Sequence, residues 1–126
     1  MIADTVIKFW EHIDKAQFDM LADVMAAEAN VILPNTNEIF YGRENYIEFN
    51  KDYPGRWYAD VKKIFIADDE IVTAVHISDK QGTSLYVTSF FKFRNKAIVE
   101  ITEYWGENSE APKWRQEKGY VQPYKG

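Results

Sequence analysis

Ile71-Val72-Thr73-Ala74-Val75-His76-Ile77 and Leu85-Tyr86-Val87-Thr88-Ser89-Phe90-Phe91 are two runs of β-branched and aromatic residues flanking a turn at Asp79 to Gly82. Such composition with a period of two reads as paired strands rather than helix. Working outward, the same period predicts strands over Trp57 to Ala67, Ile71 to Ser78, Ser84 to Arg94 and Ala97 to Trp105. The turns between them fall at Asp68-Asp69, at Asp79 to Gly82 and at Asn95-Lys96. In both quoted runs the two alternating faces are almost free of charge, whereas an antiparallel sheet with one wet face alternates cleanly.

Upstream the period changes to that of a helix. Ile2, Val6, Phe9, Trp10 and Ile13 recur at three- and four-residue steps, which predicts a helix over residues 2 to 13. Asp14 and Gln17 read as a capping box that opens a second helix, with Phe18, Leu21, Ala22 and Met25 as its apolar stripe and Asn30 as its end. Val31 to Pro34 and Glu38 to Tyr41 then form a small hairpin about Asn35-Thr36-Asn37. A third helix over Arg43 to Asp52 presents Tyr46, Phe49 and Tyr53 and stops at Pro54-Gly55. Helices first and an antiparallel meander after define an α+β class. Three helices can cover one face of the sheet, so the expectation is a homodimer in which a second copy covers the other.

The chain has 126 residues, no internal repeat and no linker, so 1–126 is read as one domain. Its net charge of -5 and the absence of any basic stripe exclude a general nucleic-acid binder, and no apolar run would span a membrane. Without cysteine there is no disulfide, thiolate metal site or Cys nucleophile. Nothing near the ends reads as a targeting segment, so a cytoplasmic location is expected. The tail, residues 107–126, carries Trp114, Tyr120, Val121 and Tyr124. A free tail is poor in such residues, so it is expected to dock on its own subunit or on a partner.

Alternation along the last strand puts Glu103 with Val99, Ile101 and Trp105 on the more apolar face. A carboxyl among aromatics is a candidate general acid or base, because burial raises its pKa toward neutrality. Pairing with Arg43 or Arg115 would instead make Glu103 structural. His76, mid-strand, is a candidate proton relay or a packed interface histidine, while His12 is read as exposed. Asn35 and Glu38 flank the hairpin turn, and Trp10, Tyr41, Trp57 and Tyr86 are candidate cavity walls. Two histidines with no matching acidic cluster supply no metal-ligand spacing, and no Gly-rich phosphate loop or serine triad motif occurs.

Pro34-Asn35-Thr36-Asn37-Glu38, Gly42-Arg43-Glu44-Asn45, Tyr53-Pro54-Gly55, Thr102-Glu103-Tyr104-Trp105 and Ala111-Pro112-Lys113-Trp114-Arg115 give a further signal. With the order of elements, they resemble the SnoaL-like branch of the nuclear transport factor 2-like (cystatin-like) superfamily. The resemblance implies a strongly curved sheet forming a cone-shaped half-barrel around an apolar pocket. It also implies homodimers through the outer sheet face and function without metal or organic cofactor. Relatives include polyketide cyclases, a ketosteroid isomerase, a dehydratase and an epoxide hydrolase, and others bind ligands without chemistry. Glu103 corresponds loosely to their acid on the final strand.

The expected function is therefore binding of a small apolar molecule, with isomerase, cyclase, dehydratase or hydrolase chemistry by proton transfer. Glu103 would be the acid or base, His76 or Tyr86 its proton partner, and Trp10, Asn35, Glu38, Tyr41, Trp57 and Trp105 the ligand contacts. The alternatives are a non-catalytic binder and a dimeric accessory protein.

Overall fold

The computed structural model describes residues 1–125. Helix α1 (Ile2–Asp14) buries Val6, Phe9 and Trp10, the stripe its spacing predicts. Then the chain departs from the expected second helix. A single 3-10 turn spans Phe18–Asp23, and strand β1 (Met25–Leu33) begins where helix was expected to continue. Ala16 has a φ of 55°, in the left-handed region, which ends any helical run there. Asp14 is not an N-cap. It ends α1, and its Oδ1 accepts the Ala59 amide at 2.9 Å. Met-Ala-Ala-Glu-Ala favours helix locally, but hydrogen bonding to the last strand and burial of Met25, Ala29 and Val31 override that preference.

β2 (Glu38–Tyr41) returns antiparallel to β1 through a 3-10 turn at Pro34–Thr36, closed by Asn37 in the left-handed conformation. Helix α2 (Arg43–Asp52) follows, and the meander runs β3 (Tyr58–Ala67), β4 (Glu70–Ser78), β5 (Ser84–Arg94) and β6 (Ala97–Glu107). The sheet order is β2-β1-β6-β5-β4-β3. β1 joins β6 in parallel, so the antiparallel meander becomes a mixed six-stranded sheet. The sheet is open, and α1 and α2 cover one face of it.

That inner face carries Ile71, Thr73 and Val75 from β4, Val87, Ser89 and Phe91 from β5, and Ile98, Ile101 and Glu103 from β6, all buried. Phe9 joins the layers: its ring meets Phe91 edge-on at 5.3 Å and stacks on Tyr46 at 6.5 Å. Such ring pairs add stability beyond the area they bury. His12 is buried, against expectation, with Nδ1 3.3 Å from Gln17 Oε1, because the chain folds back under the end of α1.

The tail, expected to dock on its own subunit or on a partner, reaches the sheet of its own subunit through Tyr124, whose hydroxyl lies within reach of the Tyr86 hydroxyl. Short helix α3 (Lys113–Glu117) leaves Trp114 60% and Tyr120 70% exposed, packed on each other at 6.4 Å. Arg115 lies over the Trp114 ring rather than against a body carboxylate. β6 ends at Glu107, ahead of Pro112, which stands instead at the N-cap of α3.

Phe9→Ala should cost about 3 to 5 kcal/mol, since it empties the joint between helix and sheet and the layers cannot collapse into the void. Denaturant unfolding reads this as a fall in the midpoint with little change in slope.

Candidate functional site

Between the helices and the inner face lies a cavity of about 410 Å³. Its inner end is formed by buried Trp10 of α1, Tyr46 of α2, Val87 of β5 and Glu103 of β6. Its rim is formed by exposed Glu38, Lys51, Tyr53, Arg56 and Glu107. The rim is pinned in place: Arg56 Nη2 donates to the Asp14 carbonyl at 2.7 Å, and Trp57 Nε1 donates to the Pro54 carbonyl at 2.8 Å.

Strand register sets the chemistry of the inner end. Thr73, Ser89 and Glu103 stand opposite one another across β4, β5 and β6, so their side chains form one row. Trp10 Nε1 donates to Thr73 Oγ1 at 3.1 Å. Ser89 Oγ donates to Glu103 Oε2 at 3.1 Å, and the Tyr46 hydroxyl donates to Glu103 Oε1 at 3.4 Å. Neither arginine considered as a partner reaches Glu103. Arg43 Nη1 donates to the carbonyls of Ala22 and Met25 at 3.2 and 3.0 Å, holding the start of β1 against α2.

Glu103 is only 8% exposed. Burial pushes its carboxyl from 4.5 up to about 7, against the two hydroxyls, which favour the charged form. Burial wins because two neutral donors, one of them long, replace a full hydration shell and bring no countercharge. The same burial, with the Glu103 charge beside it, holds the Tyr46 hydroxyl well above its ordinary range. Tyr46 therefore remains a donor wherever Glu103 titrates.

Of the residues read from sequence as site candidates, Trp10, Glu38, Trp57, Glu103 and Trp105 line the cavity together. His76 and Tyr86 do not join them. They pair with each other, rings 5.0 Å apart, on the outer face of the sheet, since strand alternation turns every second residue away from Glu103. Tyr41 points outward and is 70% exposed. Asn35 is structural: its Oδ1 accepts the Trp105 amide at 3.1 Å and ties the hairpin turn to β6. Sequence reasoning missed Tyr46, Phe49 and Tyr53 as walls and Ser89 as a partner of Glu103. The aromatic spacing on α2 was a usable signal for the first three; Ser89 needed the register. Among the described residues no three His, Asp or Glu side chains converge as a metal site, and no helix is long and apolar enough to cross a membrane.

Helices on one face of an open, mixed six-stranded sheet, with a cavity between the layers, are the architecture of the nuclear transport factor 2-like cone. The SnoaL-like domain family matches residues 6–101, and the chain belongs to that family. The matched segment stops just short of Glu103. Similar solved structures include a candidate ketosteroid isomerase from Kribbella flavida, 22% identical, with a TM-score of 0.85 over 98% of this chain and 91% of that one. An NTF2-like protein of unknown function from Burkholderia xenovorans is 28% identical, with a TM-score of 0.81 over 96% and 93%. A candidate SnoaL-like polyketide cyclase from Jannaschia is 15% identical, with a TM-score of 0.68 over 82% and 84%. No curated protein matches the chain.

Glu103 gives stability a pH slope of definite sign. Below pH 4.5 the carboxyl is neutral in both the folded and unfolded chain. As pH rises the unfolded chain ionises first, so this group's contribution is lost between about 4.5 and 7. The loss should reach about 3 kcal/mol. Denaturant titrations across that range should show Glu103→Gln lacking this slope; parallel profiles would mean that the carboxyl is hydrated.

Proposed function

We propose that this SnoaL-like domain binds a small, largely apolar molecule in the cavity and moves a proton on it with Glu103, without a metal or organic cofactor. The observation that carries the reading is a buried carboxyl, free of any arginine, on the wall of a cavity large enough for a small organic ligand. Near neutral pH such a group exists in both forms, so it can take a proton from carbon or oxygen and return it elsewhere. Ser89 and Tyr46 would steady the ionised form by donating to it, and Trp10, Trp57 and Trp105 would hold the ligand and exclude water. This places the chemistry among isomerases, lyases and hydrolases.

The test is deuterium incorporation from heavy water into a panel of neutral and ammonium-bearing ketones, followed by NMR. Exchange should need Glu103, fall at least 100-fold in Glu103→Gln, and rise as pH passes through about 7. Equal exchange in both proteins would end the proton-transfer reading. Ligand protection against unfolding that persists in the variant would then favour a non-catalytic binder.

The same proposal includes a homodimer formed through the outer sheet face. That face carries Phe65, Val72, Phe90 and Tyr104, with Phe65 64% exposed, and is closed at its end by His76 and Tyr86. A contiguous exposed apolar patch of this kind is uncommon on a monomer. The exposed rings of Trp114 and Tyr120 fit docking on the partner copy, beside the Tyr124 that meets Tyr86 of its own subunit. Light scattering at micromolar concentration should report twice the chain mass, Tyr104→Glu should halve it, and deletion of residues 111–126 should lower the melting temperature by several degrees. A wild-type monomer would overturn the arrangement.

A further inference from the structure

Several hydrogen-bond donors of the cavity lining are already engaged. Trp10 Nε1 is engaged by Thr73, Trp57 Nε1 by the Pro54 carbonyl, and the Tyr46 hydroxyl by Glu103. Asn50 Nδ2 gives one of its two hydrogens to the Tyr46 carbonyl at 2.8 Å. The two cations at the rim are also committed. Lys51 Nζ lies 2.6 Å from Asp19, and the terminal nitrogens of Arg56 donate to the carbonyls of Asp14 and Trp57. Three carboxyls share the space, Glu103 at the inner end and Glu38 and Glu107 at the rim, none of them in an ion pair among the described residues.

The apolar lining has a sign as well. From the Glu103 partner Tyr46, rings follow without a break to the rim: Phe49 at 6.2 Å, Tyr53 at a further 5.5 Å, and Trp57 at a further 6.1 Å. The faces of such rings carry negative potential and attract cations. Ionised carboxyls only accept, so a neutral ligand rich in oxygen depends on those donors of the lining that are not already engaged. An alkylated cation has no such requirement, because methyl groups bearing positive charge satisfy rings and carboxylate alike.

We propose that the ligand of this cavity is an organic ammonium, its charge answered by Glu103 at the inner end and its way in from the rim lined by the rings of Trp57, Tyr53 and Phe49. The proposal rests on the reading of the cavity as the functional site and names the class of molecule it takes. Burial leaves Glu103 partly protonated near neutrality in the empty cavity, so arrival of a cation should expel that proton. The groups facing Glu103 directly are Tyr46 from α2 and Ser89 from β5. Glu38, Glu107, Lys51 and Arg56 share the cavity with it at the rim.

Calorimetry with phenyltrimethylammonium and its neutral isostere tert-butylbenzene, neither of which titrates, tests this. In the wild-type chain at pH 8 the ammonium should bind roughly tenfold more tightly than the isostere. That preference should shrink several-fold at pH 6, where binding should release a proton into the buffer. Glu103→Gln should remove most of the preference while leaving the isostere's affinity in place, which also reports that the variant is folded. Trp57→Leu, at the rim, should weaken the ammonium several-fold more than the isostere. Equal affinities in the wild-type chain, or a preference unchanged in both variants, overturns the ammonium assignment. If the isostere still binds in that case, the cavity remains a ligand site. If neither probe binds, both the assignment and the ligand-site reading fall.

Discussion

The register of the β4–β5–β6 ladder is the constraint on which the site depends. Side chains alternate across a strand, so a slip of one residue would turn Glu103 to the outer face and bring Tyr104 inward. The register is held by what each face must hide. Ile71, Val75, Phe91, Ile98 and Ile101 go to the core in one register only, and their burial outweighs the cost of burying Glu103 beside them. The polar row of Thr73, Ser89 and Glu103 is therefore carried into the interior by its apolar neighbours.

Polar groups on that row survive because each has a partner. Thr73 receives the Trp10 indole, and Ser89 and Tyr46 both donate to Glu103. Among the described residues, no buried side-chain nitrogen or oxygen is left without one. The partners come from α1, α2 and the sheet, so the same bonds that satisfy the row also fix the helices over it. An arginine in place of Tyr46 would pull the Glu103 carboxyl below its ordinary value and end its usefulness near neutral pH. Neutral donors leave the carboxyl titrating near neutrality.

The two faces of the sheet divide the labour. The inner face, under α1 and α2, encloses the cavity; the outer face is apolar at its middle, around Val72 and Phe90, and carries its charges toward the ends, with Lys92 and Glu100 paired at one and Asp60 at the other. His76 and Tyr86 belong to this second surface. Their pairing with Asp60 on β3 and with each other makes them part of the face offered outward, 180° in side-chain direction from the carboxyl they were expected to serve.

Local pattern was enough for much of this molecule. The period of two along residues 57–105 and the helical spacing of Val6, Phe9 and Trp10 determined the α+β class, and the alternation with Ile101 turned Glu103 toward the apolar side. Three things were decided only by tertiary structure. Residues 25–30 have helical propensity, and pairing with β6 made them strand, because a buried parallel ladder outweighs a local preference. Tight turning at Asn95-Lys96 starts β5 and β6 with Arg94 opposite Ala97 and would, continued evenly, set residue 103 opposite Thr88. A bulge that leaves Val99 unpaired shifts the ladder by one and delivers Glu103 to Ser89 instead. Such an insertion has no signature in a pattern of apolar residues, since Ile98, Val99 and Ile101 put apolar side chains at both alternating positions of the strand. The aromatic wall on α2 was visible as spacing, but its meeting with Glu103 depends on how the helix lies across the sheet, which is set by long-range packing around Phe9.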